Sequence, residues 1–107
     1  MVNRFDVFLV NLDSEPSADA KNTRPCVVIS PNEINHHIQN VIIAPLSSAS
    51  PSEYPTRVPV SFLNSERIIV LDQIRTIDKI RLVKRIGEID KAAQKETLDR
   101  LHELFAE

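Results

Sequence analysis

The chain has 107 residues, enough for one ordinary domain over residues 1–107 with a modest core of its own. Thirteen Lys and Arg against fifteen Asp and Glu leave a formal net charge of −2, which argues against a generic nucleic-acid coat. A single cysteine excludes an internal disulfide, and neither a signal-peptide core nor an apolar run of the ~20 residues a membrane helix needs is present, so a cytoplasmic chain without membrane contact is expected.

Residues 5–11 alternate, Phe5, Val7 and Leu9 against Asp6, Phe8 and Val10, which predicts a strand with one face more buried than the other. Residues 12–24 are polar and carry Asp13, Ser14, Pro16 and Ser17, a first long loop. Cys26-Val27-Val28-Ile29 is a short buried strand. Ser30-Pro31-Asn32-Glu33 then resembles a helix start, with Ser30 as cap, Pro31 in the first turn and Glu33 reaching back as in a capping box. Val41-Ile42-Ile43-Ala44 predicts a third strand ended by Pro45. Residues 46–55, rich in serine and proline, form a second long loop.

Val58–Phe62 and Arg67–Leu71 predict a hairpin joined through Asn64-Ser65, with Pro59 restricting the first strand to an edge or a bulge. A turn is expected around 76–81, then a strand over 83–86 that Gly87 breaks. Asp90 is a plausible N-cap for the one long helix, whose apolar stripe is Ala93, Leu98, Leu101, Leu104 and Phe105. The expected architecture is mainly β with α, a small twisted barrel of about five to seven strands with a C-terminal helix. The narrow helix stripe leaves room for burial in a homodimer.

Charge is unevenly spread. Arg57, Arg67, Arg75, Lys79, Arg81, Lys84 and Arg85 stand against Glu66, Asp72 and Asp78 between residues 57 and 85. That local excess of four positive charges is either a solvated strand surface or a phosphate-binding face. With one glycine, there is no Gly-rich phosphate loop. His36 and His37 are adjacent and diverge on any regular element, so they chelate one metal poorly, and no metal site or cofactor is expected. His102 sits among polar helix residues, and Cys26 has no histidine nearby to activate it.

Arg24 closes the first polar loop just before a proline and a buried strand. It either pairs with Asp13, Glu15 or Asp19, or holds a phosphate with its planar fork. Ser47 and Ser48 are either turn formers or hydroxyl donors to phosphate oxygens.

Four strings go further together than alone. Arg24-Pro25-Cys26-Val27-Val28-Ile29-Ser30-Pro31 resembles the arginine-proline strand of the MazF/PemK toxin family. Val41-Ile42-Ile43-Ala44-Pro45-Leu46-Ser47-Ser48 resembles the family's next strand with its terminal hydroxyl pair. Tyr54-Pro55-Thr56-Arg57-Val58 and Leu71-Asp72-Gln73-Ile74-Arg75-Thr76-Ile77-Asp78 are similar to two further blocks, in family order, and Asn11-Leu12-Asp13 fits the end of the first strand. The resemblance implies an SH3-like barrel, a homodimer, and sequence-selective, metal-independent cleavage of single-stranded RNA. It also implies a cognate antitoxin that covers the RNA groove and binds DNA together with the toxin.

By position, Arg24, Ser47 and Asp72 then fall on catalytic residues, and Asp19, Ser48, Tyr54, Arg57, Gln73 and Arg75 on RNA-binding ones. The chain also departs from the family pattern. Residues 17–22 lack the usual glycine and put Asp19 at a glutamate position; Ser47 replaces a threonine and loses the methyl that limits its rotamers. RNA supplies its own nucleophile, the 2′-hydroxyl, so the chemistry needs mainly phosphate stabilisation and proton transfer. Two other readings compete. One is a catalytically weak RNA-binding module on the same barrel. The other is a CcdB-like inhibitor of DNA gyrase, whose relatives end in a tryptophan-bearing tail that this chain lacks.

Overall fold

The computed structural model describes residues 1–12, 22–48 and 55–106. Its elements are β1 (Asp6–Asn11), β2 (Thr23–Val28), α1 (Asn32–Asn35), β3 (Asn40–Ser48), β4 (Arg57–Phe62), β5 (Ser65–Val70), β6 (Arg75–Asp78), β7 (Leu82–Glu88) and α2 (Lys91–Phe105). Short 3-10 turns at Leu71–Gln73 and Lys79–Arg81 link the last strands. The strands form one antiparallel sheet in the order β4-β5-β3-β2-β1-β7, with β6 added to β3.

The sheet carries a core on each face. Val7, Val27, Ala44, Leu46, Ile69 and Leu71 bury one side, closed by Ile89 and Ala93 at the start of α2. Val10, Cys26, Val28, Val41, Ile43 and Ile77 bury the other. Covering both faces explains why β2 and β3 have near-continuous apolar runs and why β1 buries residues of both parities. Each fully buried aliphatic side chain contributes about 1.5–3 kcal/mol.

The fold class and the C-terminal helix are as the sequence predicts, but the ladder is not closed. Edge strands β4 and β7 share no strand pairing. They meet through side chains instead: a Cβ built on Gly87 would lie 3.0 Å from Phe62 Cζ. Gly87, at φ +153°, does not break β7 either. It sits where the β1–β7 register shifts between Val7 and Phe8, a bulge that bends the strand across the opening.

Local differences have local causes. β3 runs through Pro45 to Ser48 because it changes partners there, from β6 (up to Ile43) to β5 (from Leu46). The missing N–H falls where no strand faces it on that side. Ser30 does not cap α1. The N-cap is Pro31, with no side-chain bond, while Ser30 Oγ bonds Asn35 Oδ1 and accepts from Ile42 N–H at 3.0 Å. Ser30 and Asn35 are buried, and this network satisfies polar groups that would otherwise be costly there. The predicted hairpin forms, but its turn is Leu63-Asn64, both at positive φ, rather than Asn64-Ser65, because Ser65 already pairs with Phe62. Pro59 lies on edge strand β4, as its missing donor requires. Asp90 caps α2, accepting from Ala93 N–H at 2.7 Å. Of the helix stripe, Ala93 is buried and Leu101 packs on the core, while Leu98, Leu104 and Phe105 remain exposed.

Candidate active site

The β2–β3 ladder pairs Val28 with Ile43, Val27 with Ala44 and Cys26 with Pro45. The ladder ends there, and Thr23, Arg24, Ser47 and Ser48 continue the two strands beyond it. Pro25 and Pro45 both lack an N–H at this point. Here β3 takes up β5, pairing Ser47 with Ile68 and Ser48 with Arg67. A groove of about 560 Å³ opens beside these strand ends, lined by Leu12, Arg24, Ser47, Ser48, Arg67 and Gln73, with Asn22, Thr23, Pro25, Pro45 and Leu46 completing it.

The groove unites four of the sequence candidates: Arg24, Ser47, Ser48 and Gln73. Arg24 and both serines are exposed, so their polar atoms are open to a ligand. No hydrogen bond or ion pair holds the Arg24 side chain among the described residues; Asp13, Glu15 and Asp19, its alternative partners, lie outside them, as does Tyr54. No carboxylate and no imidazole lines the groove among the described residues. Its chemistry is therefore that of guanidinium, hydroxyl and amide donors, a set suited to a phosphodiester.

Asp72 stands apart from this lining. Its carboxylate accepts from Thr56 Oγ1 at 3.0 Å and pairs with Arg57 Nε at 3.5 Å. Partial burial alone would raise its pKa, but bonds from the Thr56 hydroxyl, its own backbone and Arg57 outweigh that and hold it below the usual carboxylate range. A carboxylate so held is a weaker base, and here it anchors Arg57. Arg75 is exposed on β6, opposite Ile43.

Cys26, next in sequence to groove-lining Pro25, is buried in the core. Burial pushes its thiol up to about 12 against the opposing pull of Arg75 and Arg24, so it stays protonated and unreactive. The two guanidiniums thus approach the same buried sulfur, Arg24 from β2 and Arg75 from β6.

The basic segment 57–85 is not one surface. Arg57 pairs with Asp72, and Arg85 pairs at 3.0 Å with Asp6, whose side chain is 3% exposed. Arg81 Nη1 donates to the Asn11 carbonyl at 3.1 Å, and Lys79 Nζ to the Asn35 carbonyl. Arg67 alone among the seven lines the groove. Sequence reasoning counted Arg67 only as one of the charge cluster. Its place depends on the β3–β5 pairing, which joins residues about twenty apart in the chain and leaves no local signature.

The sequence matches the PemK-like, MazF-like toxins of type II toxin–antitoxin systems over residues 3–105. It is 30% identical over 101 residues to an Endoribonuclease MazF of Staphylococcus saprophyticus, covering 90% of this chain and 84% of that protein. It is 31% identical over 91 residues to an Endoribonuclease MazF of Staphylococcus epidermidis, covering 80% of this chain and 76% of that protein. Its fold is similar to a mycobacterial endoribonuclease in complex with its cognate antitoxin, with a TM-score of 0.80, 21% identity, and coverage of 96% of this chain and 93% of that one. It is also similar to a MazE–MazF structure from Deinococcus radiodurans, with a TM-score of 0.79, 20% identity, and coverage of 98% and 95%.

Proposed function

The chain belongs to the PemK-like, MazF-like toxins of type II toxin–antitoxin systems, and from that premise we propose that it is the endoribonuclease of such a pair, cutting single-stranded RNA in the groove between Arg24 and Ser47. The observation that carries this reading is the groove itself. An exposed arginine with no described side-chain partner and two exposed serines line it together, among described residues that include no carboxylate.

In the reaction the 2′-hydroxyl oxygen bonds to the adjacent phosphorus, and the bond from phosphorus to the 5′-oxygen breaks. The proton leaves the 2′-oxygen and the departing 5′-oxygen gains one, giving a 2′,3′-cyclic phosphate and a 5′-hydroxyl. Negative charge accumulates on the non-bridging oxygens at the crowded phosphorus. Arg24 stays protonated at any working pH, so its part is to neutralise that charge rather than to move a proton. Ser47 donates a hydrogen bond to a non-bridging oxygen. Ser48 and Gln73 line the path of the strand. Asp72, outside the groove and held as a weak base, acts by fixing Arg57. The partners of this activity are single-stranded RNA, a cognate antitoxin that shields the groove, and a second copy of the chain. The gyrase-inhibitor reading has no matching feature in the groove.

The test is purified protein with a long unstructured RNA in EDTA, with ends mapped and Arg24→Ala alongside. The reading expects discrete cuts with 5′-hydroxyl ends, reduced by about 10²–10³-fold in the variant, the effect of losing one donor to a developing oxyanion. Intact RNA with the wild-type protein, under conditions where a related enzyme cuts, overturns it.

A further inference from the structure

Arg67 is the second guanidinium in the groove, and, unlike Arg57, Arg81 and Arg85, its side chain has no ion pair or hydrogen bond among the described residues. It lies on β5 directly opposite Ser48. Its Nε is shielded from water yet meets no hydrogen-bond acceptor among the described residues. No carboxylate pairs with it among the described residues. A shielded guanidinium N–H without an acceptor is a costly arrangement, and because Arg67 is only half-buried, the rest of its side chain stays open to an anion.

β3 runs between the two cations, with Arg24 on β2 at one side and Arg67 on β5 at the other. Two strand spacings separate their backbones, about 10 Å. Serines 47 and 48 lie between them on opposite faces of β3, and the groove at the strand ends takes in both serines and both arginines. No aromatic side chain lines the groove among the described residues.

We propose that Arg67 binds a backbone phosphate of the RNA next to the one that Arg24 holds, so that the two arginines straddle β3 and draw the strand across Ser47 and Ser48. This rests on the ribonuclease reading above and deepens it. A phosphate, not a base edge, is the occupant because nothing among the described residues fixes the fork of Arg67. Reading a base needs a guanidinium held in one plane, whereas neutralising a phosphate needs only charge within reach. Arg67 is thus a positioning residue, which fixes the strand while Arg24 meets the reacting phosphate.

The probe is the RNA segment that the wild-type protein cuts, synthesised with a 2′-deoxy sugar at the mapped cut so that it binds intact. Binding is measured from low to high salt for the wild type, Arg67→Ala and Arg67→Lys. Arg67→Ala is expected to weaken binding about 10–100-fold at low salt. It should also flatten the slope of log affinity against log salt by about 0.7, the loss of one phosphate contact on a single strand. Arg67→Lys keeps the charge and restores the slope. In cleavage, KM rises with kcat nearly unchanged, and the cut sequence stays the same.

An unchanged slope in Arg67→Ala, or a relaxed cut sequence with Lys failing to restore binding, overturns the proposal while leaving the ribonuclease reading intact. Absence of cutting by the wild type overturns the ribonuclease reading itself. Should Arg67→Ala fail to fold, Arg67→Lys together with Arg67→Gln decides the same question, since only the charge distinguishes them.

Discussion

Gly87→Ala is the substitution that most directly tests how this open sheet is held together. Gly87 is the chain's only glycine, and it sits at φ +153°, a conformation that residues with a Cβ rarely adopt. Imposing alanine there costs about 1–3 kcal/mol in backbone strain. A Cβ at this point would also lie 3.0 Å from Phe62 Cζ and 3.1 Å from Cε1. Phe62 is buried in the core at the far edge strand, so its ring has little room to retreat, and overpacking adds about 1–3 kcal/mol. The sum, about 2–6 kcal/mol, is a large share of a domain's typical stability of about 5–15 kcal/mol. At about 4 °C per kcal/mol it lowers Tm by roughly 8–24 °C. Circular-dichroism melts measure this directly. Gly87→Ala combined with Phe62→Leu removes the ring's outer atoms but not the strain, so the double variant should lose about 1 kcal/mol less than the two singles added. A Gly87→Ala melt within about 3 °C of wild type would refute the claim that Gly87 is required both by its backbone and by the Phe62 contact.

The remaining predictions concern single groups. Asp90→Ala removes the acceptor for Ala93 N–H and should cost about 1 kcal/mol, with Asp90→Asn recovering most of it; urea unfolding at constant m-value reads the difference. Cys26 should resist alkylation by iodoacetamide in the native protein at pH 8 and react once the chain is unfolded in urea. Because folding raises its pKa from 9.0 to about 12, its contribution to stability is intact below pH 9 and disappears as pH climbs toward 12; Cys26→Ala should flatten that alkaline decline. Asp72 shifts the other way. Folding lowers its pKa, so what it contributes is present above its unfolded value near 3.8 and is lost as pH falls through the folded one; Asp72→Asn and wild-type melts should converge at acid pH and separate at neutral pH.

Much of the fold was written in local patterns. Asp90 followed by a helical stripe, Pro59 at a strand that had to be an edge, and the apolar runs of β2 and β3 each follow from one residue's chemistry or one period. What failed were readings in which a local rule met a tertiary arrangement. Pro45 should end a strand, but β3 passes from β6 to β5 at that residue, so the absent donor is not missed. Ser30 has the chemistry of a cap, but its hydroxyl is drawn into a buried bond with Asn35 and Ile42, where leaving those groups unsatisfied would cost more than an uncapped four-residue helix. Gly87 should break β7, but a bulge against β1 needs it within the strand.

The site was legible to the same degree and for the same reason. Arg24 and Ser47 lie 23 positions apart, yet each stands at the end of a strand whose apolar run can be seen in the sequence, and the pairing of those runs brings both to one groove. The basic segment had two readings, a solvated surface or a phosphate face, and the structure divides it. Arg57, Arg81, Lys79 and Arg85 are engaged by Asp72, the Asn11 and Asn35 carbonyls and buried Asp6, so four of the seven charges tie strands and turns together. Arg67 enters the groove because it pairs with Ser48, not because it lies in a positive stretch. A cation's role here depends on whether an acceptor already faces it. By that criterion, among the described residues of this groove, Arg24 and Arg67 are the charges left for a ligand to satisfy.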